Sequence, residues 1–408
     1  MTVVGTLLWF SGAAALLLWR FREPALACWR EPVLRRSVLI VESDDWGPGP
    51  DEDVTALRRI RAILARHWDR DGRPPVMTIG VVLALADTPK IAINACSQYA
   101  RKTLLSPEYQ RLREVLLEGE AEGVFALQLH GLEHYWPEAL MHASQSAPAV
   151  RSWLTEPGHP RTERLPPALQ SRWIDASTLP SWPHSPLAVD RAVDAEVKLF
   201  HAVFHRAPTV VVPPTFVWDQ TVENAWARHQ VRVVVTSGRR HPGRDADGAL
   251  VTKPGVLFNG QLSTSGLRYM VRKDYFEPCR GHTVERALKA LAANTAAGRP
   301  TLLETHRFNF TELCQDLERS YAQLDLMFSA ALSAHPRLSF LATGDLAERI
   351  ASNDPSWLVT GRRDRTLAWL RRLEQLPGVR KQAIVTGVVL VVWMLRAGIQ
   401  LSLRRKGA

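Results

Sequence analysis

Residues 125–136 read Phe-Ala-Leu-Gln-Leu-His-Gly-Leu-Glu-His-Tyr-Trp, and how they are read decides the fold. Phe125 to Leu129 is a largely apolar run of strand length, so the strand has to end at His130. Gly131 permits a sharp turn there, and His134 returns four residues after His130. Two imidazoles leaving one strand end, flanked by Glu133 and Tyr135, are suited to turning toward a single ion. The plainer reading makes both ordinary polar residues on a βα loop. Either way the segment is a buried strand entering a loop, as in a parallel sheet.

Outward from this stretch the same unit repeats. Ser37–Val41, Met77–Leu85, Thr209–Val212, Val231–Thr236, Thr301–Thr305 and Leu338–Leu341 read as strands, with shorter ones at Val256–Phe258 and Arg268–Val271. Helical patterns lie between them, at Val54–Trp68, Pro107–Leu117, Leu187–His205, Thr283–Ala297 and Thr311–Ala334. In the first of these, Leu57, Ile60, Ile63 and Leu64 share one face. About seven repeats of strand, loop and helix predict an α/β fold of parallel strands, a (β/α) barrel or a doubly wound sheet, over residues 35–352. Residues 137–185, rich in Pro, Ser and Trp, read as an insertion of the functional-loop kind.

The 408 residues carry 46% hydrophobic and 23% charged side chains, which suits a large core and excludes disorder. The net charge of +10 is spread along the chain, with no basic block interleaved with aromatics, so no nucleic-acid partner is expected. Four scattered cysteines predict free thiols. Residues 1–22 read as a transmembrane or anchor helix, since Val3–Trp19 is uncharged and is closed by Arg20 and Arg22. Residues 353–381 read as an amphipathic linker helix and 382–403 as a second membrane helix, interrupted by Arg396. Arginines follow the first apolar stretch and none precedes it. The expectation is therefore a bacterial inner-membrane protein with its catalytic domain on the cytoplasmic side and lipid as a partner.

Polar residues gather where strands end. Asp44 and Asp45 follow the first strand, His130 and His134 the third, Pro213 to Asp219 the fourth, and His306 a later one. In a parallel barrel those ends open on one face, which carries the chemistry. An acidic pair beside two histidines suggests one carboxylate completing a metal site and the other accepting a proton; a lone acidic pair is otherwise a cap and a turn. His306 is placed to protonate a leaving group, or else is a structural histidine bonded to its neighbours. Trp218 and Asp219, after Pro213 and Pro214, offer an apolar wall and a carboxylate, and Asp219 equally suits a helix cap.

Ser43-Asp44-Asp45, His130-Gly-Leu-Glu-His134 and the late His306 resemble, in the same order, the first, second and fifth motifs of the polysaccharide deacetylase (NodB-homology, carbohydrate esterase family 4-like) family. The resemblance spans roughly residues 37–350. It implies a distorted (β/α)7 barrel of the glycoside hydrolase and deacetylase type. It also implies a divalent metal, most often Zn2+, on Asp45, His130 and His134, with Asp44 as base and His306 as acid. The implied reaction removes an N-acyl group from an amino sugar of a polysaccharide or lipid-linked glycan. Trp46, Pro214, Trp218 and Asp219 are the candidate substrate contacts. The family's third motif has no clean counterpart, with only Arg206-Ala-Pro208 or Pro213-Pro214 near its place. Trp46 stands where a small residue is usual. Two other readings remain: a glycoside hydrolase pairing Asp219 with Asp44 or Asp45, and an inactive binding protein of polysaccharide assembly.

Overall fold

In the computed structural model, which describes residues 3–407, the strands near the chemistry form one nine-stranded sheet. They are β1 (Val38–Trp46), β2 (Met77–Val81), β3 (Phe125–Leu129), β4 (Val210–Val211) and β5 (Val233–Thr236). The remainder are β6 (Arg268–Val271), β7 (Asp274–Tyr275), β8 (Thr301–His306) and β9 (Ser339–Phe340). The order across the sheet is β6-β5-β4-β3-β2-β1-β8-β7, with β9 added to the start of β1, and its pairings are parallel.

The two edges of that order, β6 and β7, are joined by only Arg272 and Lys273. A two-residue link cannot span an open sheet, so the sheet must curl until its edges meet. In effect β6 and β7 are one bent strand whose first half pairs with β5 and whose second half pairs with β8. Counted as one, they make seven positions around the ring in chain order. This is the expected distorted (β/α)7 barrel, closed by the chain itself.

Alternation along the strands sorts two cores. Outward residues such as Leu39, Val41, Met77, Ile79, Leu127 and Leu303 pack under helices, among them Asp51–Leu64 through Leu57, Ile60, Ile63 and Leu64. Inward residues Val38, Ile40, Val210, Val233, Met270 and Leu302 fill the lower barrel, joined by Leu346 and Ile350 of helix Thr343–Ala351. The amino-terminal end of the barrel is thus plugged with apolar side chains, and polar ones begin above it.

Several expected boundaries move. The stretch Met77–Leu85 breaks after Val81, and Ala84–Ala86 instead pairs antiparallel with Arg101–Thr103. Val256–Phe258 is not a strand, and the long helix starts at Leu317 rather than Thr311. The insertion 137–185 holds helices Pro137–Ser146 and Pro148–Thr155 and a hairpin of Ile174–Asp175 with Trp182–Pro183. The linker region holds two helices, Arg362–Glu374 and Pro377–Val385.

The two expected membrane segments are not single straight helices. Among the described residues no single helix is long and apolar enough to cross a membrane. Helix Val3–Arg20 turns at Phe21 into Arg22–Arg30, a bend of 83°, and Pro377–Val385 turns into the last helix with a bend of 105°. Met1 and Thr2, at the start of the first expected segment, lie outside the described residues.

Candidate metal centre

Neighbouring strand residues face opposite sides of a sheet, so Asp44 and Asp45 should point apart. They do not. The register of β1 against β2 slips between Ser43 and Trp46, and Asp45 adopts a left-handed φ of 71°. This bulge swings Asp45 back to the barrel mouth beside inward-facing Asp44. Such a backbone is strained for a non-glycine residue and persists where the surroundings impose it.

Asp45 Oδ1 lies 3.2 Å from His130 Nε2 and 3.3 Å from His134 Nε2. Between the histidines, Gly131 sits at φ 99°, and a Cβ there would fall 2.7 Å from the Glu133 carbonyl, so the tight turn requires glycine. His130 Nδ1 is 2.8 Å from the Val212 carbonyl, which only accepts, so the hydrogen sits on Nδ1 and the Nε2 lone pair faces the mouth. Burial pushes His134 down to about 4, leaving it neutral at ordinary pH. Burial opposes the ionisation of Asp45, but His134, His130 and His306 outweigh it and hold that carboxyl well below its usual range.

Asp45 Oδ1 touches both imidazoles yet makes no hydrogen bond, and His134 Nδ1 is also buried without one. The three candidate donor atoms lie within 4.8 Å of one another. One carboxylate and two imidazoles gathered this closely without bonding each other fit a divalent cation, with nitrogen-rich donors favouring zinc.

Asp44 faces the other way around the mouth. Its Oδ2 accepts from Arg272 Nη2, while the same guanidinium reaches Glu42 Oε2 at 2.8 Å and Glu304 Oε2 at 3.1 Å. Burial would raise Asp44, but Arg272 and then His130 keep it below its usual value. Burial pushes Glu42 and Glu304 up instead, against the pull of the same guanidinium. Asp44 Oδ1 has no hydrogen-bond partner and lies over Gly80, where a Cβ would come within 2.3 Å of it. Arg272, in the link between β6 and β7, is the side chain that tethers Asp44, whereas Arg206 and Pro213-Pro214 do not reach it. Arg206 pairs with Glu120 instead, and Pro213 precedes a 3-10 turn.

His306 ends β8 directly beside Asp44 in register. Its Nδ1 is 2.6 Å from Glu277 Oε1 and its Nε2 is 3.5 Å from Glu304 Oε1. Burial would lower this imidazole, but Glu277, Asp45 and Glu304 raise it to about 10, so it is a cation at neutral pH. Glu277, which nothing in the sequence marks, is 2% exposed and also takes a hydrogen bond from Asn309.

The remaining candidates sort differently. Trp46 and Trp218 are fully buried, with Nε1 donating to Ser43 and Glu223, and have no surface to offer a substrate. Asp219 Oδ1 accepts from the Thr221 and Val222 backbone, so it caps helix Gln220–Arg228 and is not aimed at Asp44 or Asp45. Pro214 is buried next to the Gly131 turn. From the insertion, buried Arg172 bonds Glu133 Oε2 at 3.0 Å and the Tyr135 carbonyl at 3.2 Å, clamping the loop that carries both histidines.

The chain matches no protein-family model and no curated protein. Its fold is similar to that of solved carbohydrate-active barrels. A structure assigned as a polysaccharide deacetylase from Mycobacterium smegmatis aligns at 11% identity and a TM-score of 0.40, over 81% of this chain and 97% of that one. A peptidoglycan deacetylase from Bacillus subtilis aligns at 10% identity and a TM-score of 0.36, over 79% and 95%. A 4-alpha-glucanotransferase from Thermococcus litoralis aligns at 10% identity and a TM-score of 0.39; this chain spans 40% of its length and 77% of its own. With TM-scores this low, these likenesses carry no functional argument, and the reading rests on the side chains at the mouth.

Proposed function

We infer that this chain is a metal-dependent hydrolase that removes an N-acyl group from an amino sugar. The observation that supports this most is the meeting of two sets at one mouth. Asp45, His130 and His134 form an unbonded donor cluster, and Asp44 and His306 flank it with separate, charged supports.

Asp45, His130 and His134 would hold the cation, which when bound would polarise the acyl carbonyl and ease deprotonation of water. Asp44 serves as base at Oδ1, because Arg272 occupies Oδ2 and fixes the carboxylate. His306 serves as acid. Glu277 holds Nδ1, so the proton on Nε2 is the one delivered to the departing nitrogen. In balance, the water oxygen bonds to the acyl carbon, the carbon–nitrogen bond breaks, and a carboxylic acid and an amine leave. Glu42 and Glu304 lie beneath and keep the Arg272 network compact.

The glycoside hydrolase alternative loses its second carboxylate, since Asp219 is committed to a helix cap. The charge pattern after the first apolar stretch supports a location at the cytoplasmic face of the inner membrane, tested by a compartment-specific reporter fused after residue 36. The reaction itself is tested by metal analysis of the purified chain and by acetate release from a panel of N-acetylated oligosaccharides. His130→Ala should lose bound metal and activity together. Acetate release that persists after complete metal removal would sink the reading.

A further inference from the structure

The first and last helices meet in a layer that has no counterpart in the barrel. Trp9 Nε1 donates to the Thr386 carbonyl at 3.3 Å, and Leu17 packs with Ala383 and Val388. Phe21 lies against Gly378, and Phe10 against Gly387, so the two elbows interlock. The rest of the layer faces outward without cover: Trp9 is 57% exposed, Trp19 67%, Val385 79% and Trp393 62%, with Leu16 and Leu390 beside them. Arg20 and Arg22 flank the first elbow and Arg380 and Lys381 lie on the helix leading into the second, all exposed and, among the described residues, with no acidic side chain in ion-pair contact. A groove of about 970 Å³ is lined by Arg380 and Lys381 together with Ile384, Val389 and Trp393, with Glu374 at its side held by Arg396, so one cleft carries both cationic and apolar side chains.

We propose that these two elbows dock the chain, without spanning, onto one leaflet of an anionic phospholipid bilayer. Apolar helices rimmed by arginine and lysine, with tryptophans at the boundary, match an interface of acyl chains below and phosphates above. Bends of 83° and 105° turn each helix aside from the line a straight span would follow, which suits segments lying along an interface.

The attachment fixes which way the barrel points. Arg372 and Glu31 tie the layer to residues 31–34 and 297–299, just ahead of β1 and β8, which is the amino-terminal end of the barrel. The reacting groups sit at the opposite end, about 20 Å further along β1 at roughly 3.3 Å per residue. The mouth therefore opens away from the lipid and takes a glycan segment standing in water, not an amino sugar held at the headgroups. That last step alone rests on the hydrolase reading.

The full chain, purified in mild detergent and diluted onto preformed vesicles, should float with phosphatidylcholine vesicles containing phosphatidylglycerol and weakly with phosphatidylcholine alone. Alkaline carbonate should release it. Arg380→Glu with Lys381→Glu should reduce the bound fraction about tenfold or more, with circular dichroism unchanged. Arg380→Gln with Lys381→Gln serves if the reversal disturbs folding. Trp9→Ser with Trp393→Ser should do likewise, and acetate release from soluble oligosaccharide should stay at the wild-type level in these variants. Three results overturn the proposal: flotation of the charge variants on anionic vesicles equal to that of wild type, retention after carbonate (a spanning segment), or a stable oligomer that ignores vesicles. None of the three depends on the chain being catalytically active.

Discussion

Two fully buried arginines sit at opposite ends of the barrel, and they differ in what surrounds them. Arg272, at the mouth, meets the carboxylates of Glu42, Asp44 and Glu304. Arg372, at the plugged end, donates to the carbonyls of Cys28, Glu31, Pro32, Ala297 and Gly298 and has a single carboxylate, Glu31, at 3.6 Å. Burial opposes both charges, but the anions hold Arg272 well above its usual pKa, while Arg372 is brought down to about 10. Carbonyl dipoles satisfy a guanidinium without titrating, so Arg372 is a staple. Carboxylates trade protons against it, so Arg272 decides which neighbour stays ionised.

The largest effect is expected from removing the charge that faces charges. Arg272→Met leaves three carboxylates crowded together; turnover should fall about a thousandfold, near 4 kcal/mol of barrier, with bound metal retained. Turnover within a few-fold of wild type would erase the distinction between the two arginines. Arg372→Met should cost about 3 kcal/mol of stability, read from the urea midpoint, because five carbonyls lose their donor. Its kcat on a soluble substrate should not change, and a lower kcat in fully folded protein would show that the two ends communicate.

Glu277→Gln probes the mouth more gently. His306 keeps a hydrogen-bond partner but loses an anion, so turnover should drop about 10- to 100-fold and the alkaline limb of the pH profile should move to lower pH. The smallest effect is on stability against pH in metal-free protein. His306 has a folded pKa raised to about 10, above the unfolded value of about 6.5, so its contribution is whole below pH 6.5 and is lost as pH rises through about 10. The thermal midpoint should decline across that window in wild type and decline less in Glu277→Gln. Parallel curves for the two proteins would separate His306 from Glu277.

Much of the mouth was legible because strand ends announce themselves. Asp44, Asp45, His130, His134 and His306 each follow a β-rich run, and parallel topology puts such ends together. Three things were not legible. The bulge at Asp45 is a backbone event with no residue signature, yet it lets adjacent aspartates serve one site. Arg272 and Glu277 lie 228 and 29 residues from Asp44 and His306, their respective partners, and follow strands too short for periodicity to mark them. Trp218 was read as an apolar wall of the site and Trp46 as a substrate contact, from their places after strand ends. Ser43 and Glu223 answer their indole N–H groups inside the core.

The link between β6 and β7 has a consequence for how the sequence can change. Hairpins and helices elsewhere tolerate added length, because their ends stay anchored while the extra residues loop out. Here the chain itself is the clasp of the ring. Inserting or deleting one residue between Val271 and Asp274 would flip the side-chain alternation of one half against the other and turn Arg272 away from the carboxylates. Loops that join the barrel's strands to its helices can change length; the link between β6 and β7 cannot.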